Sequence, residues 1–288
     1  KLSNLKFDND IIQTSISNFK TTEQCGFKLN KLNVTTKLSS IECLLTNLDL
    51  ATDSSLIKGN IEFAYNEWKD FNEFVDKIKI NSELKPGTKI YFKDIATFAE
   101  DLNGLNKTIS LNGHVAGFIS DLNLTHFKFN YGKNTQFDGD VTLTGLPVIN
   151  TTYLKLKSKH LSTSFNDLIQ TPSYPFNENK NLNIPLELRK FGTITYKGIF
   201  DGFITDFFTK GSIFSDLGEI NTDLKMKIGK TEEQIIYDGK LQTKNFNIGA
   251  LFDQNSLNNL NLNARVKGNG VSLNKLKANL EGQILTCN

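Results

Sequence analysis

Proline is scarce in this chain, five in 288 residues, and cysteine scarcer, with three; methionine and tryptophan occur once each. So little proline leaves long hydrogen-bonded ladders uninterrupted, because proline cannot donate to a sheet and is tolerated only at edges and bulges. Cys25, Cys43 and Cys287 are an odd set without C-x-x-C spacing. That argues against structural zinc, which takes four ligands in paired clusters. Cys25 and Cys43 could pair in an oxidising compartment or stay as separate thiols on strands, so cysteine does not decide the compartment. No stretch approaches the ~20 apolar residues of a membrane-spanning helix. The chain opens on Lys1 with no charged or apolar leader, which reads as a fragment whose anchor, if any, lies outside it.

Charge of one sign is lacking too. The 33 basic and 31 acidic residues are spread along the whole length for a net charge of +2. The longest basic run, "KMKIGK", alternates with apolar residues. A nucleic-acid partner would need a clustered cationic patch, so none is expected. Catalytic constellations are missing as well. His114, His126 and His160 lie far apart, there is no GxSxG, HExxH or P-loop, and "GNG" at Gly268 is an isolated glycine pair. Acidic residues such as Asp121, Asp206 and Glu219 sit singly in alternating segments. The expectation is a protein that is not an enzyme and needs no metal and no cofactor.

What the chain has in quantity is period two. "KTISLNGHV" sets Ile109, Leu111 and Val115 against Ser110, Asn112 and His114. "EINTDLKMKI" sets Leu224 and Met226 against Asp223, Lys225 and Lys227, and "NLNLNARVKGNG" sets Leu262 and Val266 against Asn263, Arg265 and Lys267. Such alternation predicts antiparallel strands with one apolar and one wet face. Turns are expected at "PGT" (Pro86), "NYGKN" (Asn130) and "GKTEEQ" (Gly229). Short helices are expected in "NEWKDFNEFVDK", "KDIATFAEDL", "IPLELRKFG" (Pro185 and Gly192 at its ends) and "NIGALFD", and a loop in "QTPSYPFNENKNLNIP".

One phrase is written twice: "GHVAGFISD" from Gly113 and "GIFDGFITD" from Gly198. Gly113 and Gly117 share a strand face, as do Gly198 and Gly202. Glycine weakens a strand, so its recurrence predicts two similar bends in a long sheet. Asp121 and Asp206 are expected to turn or cap the strand ends. By parity, Ile119 would continue the line of Ile109, Leu111 and Val115, and Ile204 that of Tyr196 and Phe200.

Five segments follow one another along the chain: "TKIYFKDIATFAEDL", "ISLNGHVAGFISDLNLTHFKFNYGKNTQFDGDVTLTGLP", "FGTITYKGIFDGFITDFFTKGSIFSDLGEINTDLKMKI", "YDGKLQTKNFNIGALF" and "ARVKGNGVSLNKLKANLEGQI". Their ordered succession resembles the TamB family of Gram-negative envelope proteins, within the wider AsmA-like group. The resemblance implies a mainly β protein: a long, curved antiparallel sheet forming a U-shaped β-taco with an apolar trough and a few short helices. It implies a periplasmic location in a protein anchored in the inner membrane by an N-terminal helix. It also implies transport of phospholipid to the outer membrane and docking on an Omp85-type, TamA-like barrel. Anchor and C-terminal docking domain are not found here, so the chain reads as a middle section whose membrane and barrel contacts lie elsewhere.

The expected organisation is strands plus an amphipathic helix over 1–75, a β-taco segment over 76–170, a loop and short helix over 171–192, and a second β-taco segment over 193–288. Roughly 20 strands at ~4.8 Å spacing are expected. A sheet with one apolar face must be covered by another layer or by something else. Phospholipid acyl chains could serve, each buried CH₂ contributing about 0.8 kcal/mol. The residues expected to line that groove are Ile109, Leu111, Val115, Ile119, Tyr196, Phe200, Ile204, Leu224, Met226, Leu262 and Val266, with Gly113, Gly117, Gly198 and Gly202 bending the sheet. The competing expectation is a scaffold for an outer-membrane protein assembly machine that carries no lipid. A third is a glycan- or adhesin-type binding module.

Overall fold

The structure is a computed structural model, described for residues 1–24, 26–97, 99–229, 231, 234–254 and 259–269, with the backbone of Leu276–Asn279. Cys25, Cys287, Phe98 and parts of the "GKTEEQ" and "GNG" segments lie outside the described residues. Cys43 is a free, half-buried thiol, pushed up from its ordinary value by burial and then by the neighbouring Glu42 carboxylate.

The protein is mainly β, with few and short helices. The first nine strands are β1 (Leu2–Asp8), β2 (Ile11–Thr22), β3 (Lys28–Leu38), β4 (Glu42–Ala51), β5 (Leu56–Ala64), β6 (Lys79–Tyr91), β7 (Thr108–Phe118), β8 (Asp121–Tyr131) and β9 (Thr135–Thr144). They are followed by β10 (Tyr153–Ser164), β11 (Thr193–Phe203), β12 (Asp206–Ser215), β13 (Gly218–Lys227), β14 (Ile236–Asn247), β15 (Asn259–Asn269) and β16 (Leu276–Asn279). Among the described residues these sixteen, against the roughly 20 expected for the whole chain, pair antiparallel in strict sequence order. Among the described residues no helix is long and apolar enough to cross a membrane.

Backbone contacts divide the chain into two compact units. Unit 1 is Lys1–Gly132 with Asp140–Thr152 and Pro172–Asn181; unit 2 is Lys133–Gly139, Tyr153–Thr171 and Leu182–Asn288.

In both units the strands are interrupted by bulges at residues of left-handed backbone. Asn18, Asn47 and His126 in unit 1 and Asn245 in unit 2 have φ of 52°, 53°, 50° and 48°. Each lies at a register shift where two residues oppose one. Asn tolerates this left-handed backbone better than most residues. The three asparagines are shifted against the following strand and His126 against the preceding β7, and in all four the N–H donates to a side-chain Oδ1 on the following strand. The acceptors are Asn33 (2.7 Å), Asn60 (2.9 Å), Asp140 (2.9 Å) and Asn261 (2.7 Å). This is one structural use for the many asparagines in the chain.

"PGT" is not a turn: Pro86 and Gly87 lie inside β6, at an irregularity between Leu84 and Thr88. A bulge is where a strand can accept a residue without an N–H. "NYGKN" does turn, between β8 and β9, with Gly132 at φ +60°. The expected helices are mostly single turns. "NEWKDFNEFVDK" is a 3-10 stretch, Trp68–Glu73, running into an α turn, Phe74–Lys77. Helix Phe92–Ala96 and the 3-10 turn Glu100–Leu102 divide "KDIATFAEDL". Leu186–Phe191 is 3-10, bounded by Pro185 and Gly192 as expected, and Ile248–Phe252 is α.

Unit 2 has a compact core at one end of its strands. Phe165 (helix Phe165–Ile169, after β10), Leu217 (β12–β13 turn) and Phe246 (end of β14) are buried. The Phe246 ring centre is 6.0 Å from that of Phe191, and the Arg189 guanidinium lies 5.5 Å from the Phe165 ring centre. Asp167, also buried, holds the start of β9 beside this core. It accepts hydrogen bonds from the N–H of Lys133 (3.1 Å), the N–H of Asn134 (2.7 Å) and the Thr135 hydroxyl (3.0 Å). Burial by itself raises the Asp167 carboxyl, but the hydrogen bonds from Asn134, Lys133 and Thr135 outweigh it and hold the group below the usual carboxylate range. A carboxyl lowered by folding stabilises fully above its unfolded value of about 3.9 and loses that contribution as pH falls through the folded value. Asp167→Ala is therefore expected to cost about 2–3 kcal/mol near neutrality. In urea denaturation at a series of pH values, the gap between parent and variant should narrow steadily below about pH 4. A gap independent of pH would show that the charge plays no part.

Candidate functional site

Cross-strand partners in a sheet lie on the same face. In unit 2 the register therefore assembles four lines of side chains on one face, running across the strands from β10 to β15. The first is Leu154–Gly202–Phe207–Met226–Tyr237–Gly268 and the second Leu156–Phe200–Thr209–Leu224–Gly239–Val266. The third is Ser158–Gly198–Gly211–Thr222–Leu241–Ala264 and the fourth Leu161–Tyr196–Ile213–Ile220–Thr243–Leu262. Tyr196, Phe200, Leu224, Met226, Leu262 and Val266 thus share one face, and Gly198 and Gly202 lie among them.

The burial of this face matters more than its composition. Among the apolar side chains of the four lines only Ala264 is buried, at 2% exposure. Phe200, Phe207, Leu224, Met226, Leu262 and Val266 are each half-buried. Side chains sandwiched between two packed layers are closed off as Phe246 is, at 5%. Phe200 and Phe207 stack on each other at 4.6 Å between ring centres, packing within the layer.

Tyr196 has a different position from the others. A Cβ on Gly198 would lie 2.7 Å from its hydroxyl oxygen, and one on Gly211 would lie 2.9 Å from its ring. The ring therefore occupies the space those two glycines leave. Its hydroxyl donates to the Ile199 carbonyl at 2.6 Å and lies 2.9 Å from the Thr209 hydroxyl. An aromatic ring laid over cross-strand glycines restores the packing that they lack. Tyr196 is a structural member of the face.

In unit 1 the corresponding face runs through β5 to β8. Its lines are Phe63–Ile80–Gly117–Leu122, Ile61–Ser82–Val115–Leu124 and Gly59–Leu84–Gly113, then Thr88–Leu111–Phe129 and Ile90–Ile109–Tyr131. Ile109 and Val115 are half-buried on it. Leu111 is closed off, at 6% exposure, so a groove on this face would reach Ile109 and Val115 rather than Leu111. His114 is on the opposite, polar face, its Nε2 2.7 Å from the Asn81 Oδ1.

Ile119 and Ile204 do not continue these lines. Each is the first residue of a two-residue turn, closed by the pairs Phe118–Asp121 and Phe203–Asp206. The doubled phrase is thus a doubled hairpin tip. Gly117 (φ +119°) and Gly202 (φ +142°) lie one residue before each closing pair. A Cβ there would meet the Asp121 carbonyl oxygen at 2.2 Å or the Asp206 carbonyl oxygen at 2.4 Å. Each tip is tied in the same way to the end of a later strand. The Ser120 carbonyl accepts from Gly145 N–H (2.8 Å) and the Thr205 carbonyl from Ile228 N–H (2.7 Å). The aspartates open the returning strands, Asp121 accepting from the Thr144 hydroxyl at 3.1 Å and Asp206 lying 3.8 Å from the Lys227 ammonium.

The opposite face of unit 2 is charged. Its lines are Phe203–Asp206–Lys227–Ile236, Lys155–Asp201–Phe208–Lys225–Asp238–Lys267 and Lys157–Ile199–Lys210–Asp223–Lys240–Arg265. Ion pairs cross between neighbouring strands, such as Lys210–Asp223 at 3.1 Å and Lys267–Asp238 at 3.7 Å. Exposed pairs of this kind contribute at most about 1 kcal/mol each. Their larger effect is on register, because a one-residue slip would turn every charge to the apolar side. Among the described residues no group of three or more His, Cys, Asp or Glu side chains could hold a metal ion. No family model matches the chain, and neither does any curated protein or any solved structure.

Proposed function

We propose that the chain is a section of a TamB-like bridge that conducts phospholipid between the inner and outer membranes of a Gram-negative envelope, acyl chains lying against the apolar face of the sheet. The observation that carries this reading is the half-burial of four contiguous, largely apolar lines in unit 2. Soluble proteins rarely leave contiguous apolar patches beyond a few hundred Å² without a use for them. An acyl chain is a flexible second layer for such a face, and near-uniform contacts along it suit sliding better than storage. On this reading the partners of the bridge are phospholipid, the inner membrane and an Omp85-type, TamA-like barrel, and the periplasm is the compartment in which such a bridge works.

The test is photocrosslinking in cells, with a crosslinking residue at Val115 or Phe200 on the apolar faces and at His114 or Lys197 on the polar ones. Mass spectrometry should find phospholipid adducts at the first two sites and none at the others. Protein adducts alone at Val115 and Phe200, or equal lipid labelling of both faces, would overturn the reading. The first of these results would favour a scaffold for outer-membrane assembly.

A further inference from the structure

We infer that the strand ends of unit 2 at the β11–β12 turn form a rim that docks on an anionic bilayer surface. Five large apolar side chains are exposed there: Ile204 (59%), Ile236 (51%), Phe203, Ile228 and Tyr153 (38% each). They are neighbours. Phe203, Asp206, Lys227 and Ile236 form one cross-strand line, and Ile204 lies in the turn between the first two. Ile228 is tied to that turn through Thr205, and the Tyr153 ring meets that of Phe203 edge-on at 5.2 Å.

Behind this rim, the two further charged lines hold Lys155, Lys157, Lys210, Lys225, Lys240, Arg265 and Lys267 against only Asp201, Asp223 and Asp238. Lys157, Lys225 and Lys240 have no ion-pair partner among the described residues, so the excess is free to meet anions. The arrangement is graded, with apolar tips outermost and long cationic side chains set back. A bilayer interface takes such a pattern, the apolar groups entering the acyl boundary and the lysines reaching headgroup phosphates. A nucleic-acid surface would want the cations foremost. The charge complementarity thus selects an anionic membrane, and the inference holds whether or not the opposite face carries acyl chains.

The experiment is co-sedimentation of the full chain with phosphatidylcholine vesicles, with and without about 30% phosphatidylglycerol. Binding should be roughly tenfold or more stronger to the anionic vesicles and should fall steeply as salt is raised to ~0.5 M. Phe203→Ser combined with Ile204→Asn, and separately Lys225→Glu combined with Lys240→Glu, should each weaken it by about tenfold or more. Melting temperatures of both variants should stay close to the parent's, because every substituted side chain lies on the charged face or in the turn. Equal binding to both vesicle types, no binding to either, or variants that bind like the parent would overturn the inference. An acidic protein partner in place of lipid would give the second of these results. Uptake of a fluorescent fatty acid, measured on the same variants, reports the apolar face separately and should not change.

Discussion

Gly202→Val should be among the most damaging single substitutions in this chain, costing about 3–5 kcal/mol. Two causes act together. At φ +142° the residue occupies a backbone region that side chains with a Cβ rarely adopt. A Cβ would also meet backbone atoms on the returning strand, the Asp206 carbonyl oxygen at 2.4 Å and the Phe207 Cα at 2.6 Å. Neither can retreat without opening the β11–β12 hairpin. The causes can be separated. Gly87 has φ +91°, and a Cβ there would have nothing within 4 Å, so Gly87→Ala reports backbone strain alone, about 1–2 kcal/mol. Gly139 lacks the unusual φ, but its Cβ would meet the Lys157 carbonyl oxygen at 2.2 Å, so Gly139→Ala reports the contact. Gly202→Val should exceed both in thermal melts, with amide exchange accelerated first in β11 and β12. A loss no larger than that of Gly87→Ala would mean that the hairpin relaxes around the new side chain.

The strands and the faces of the sheet are legible in the sequence because alternation is a direct signal. Within β11, β13 and β15, parity alone groups Tyr196 with Phe200, Leu224 with Met226 and Leu262 with Val266, and the register joins those groups on one face. Parity misplaces the hairpin tips for a specific reason. Two-residue turns usually declare themselves through Asn or Gly, but these are Ile119–Ser120 and Ile204–Thr205, and their glycine lies two residues before the turn. A usable signal exists: Phe118–Ile119 and Phe203–Ile204 each place two large apolar residues side by side, which breaks the period.

The bulges leave no such mark. An asparagine at φ 53° and an ordinary exposed strand asparagine are the same letter, and the difference at Asn47 lies in what the Asn60 side chain does across the ladder. Pro86 reads as punctuation because a central strand excludes proline, and only the irregular pairing after Leu84 makes room for it. The burial of Leu111 against the half-burial of Val115, four residues along the same strand, depends on what packs above each and has no counterpart in their spacing.

Leu224→Glu is the substitution that most sharply separates a lipid-carrying face from a closed core. Leu224 is central in its line, between Thr209 and Gly239, with Phe200 and Val266 beyond them. If about eight methylenes of an acyl chain are covered at ~0.8 kcal/mol each, the face contributes roughly 6 kcal/mol to binding. A carboxylate in its midst must either be stripped of water or hold the chain away, a loss of about 2–3 kcal/mol, or roughly 30- to 150-fold in affinity. Folding should suffer far less, because a half-buried side chain can keep its new charge in water. Phe246→Glu is the contrast: that ring is buried against Phe191, and a charge there should unfold unit 2 outright. The measurement is binding of a fluorescent fatty acid alongside thermal melting for both variants. If Leu224→Glu melts as early as Phe246→Glu, the face is closed by packing and the scaffold reading gains. If it melts near the parent and has lost its ligand, the apolar lines are a binding surface.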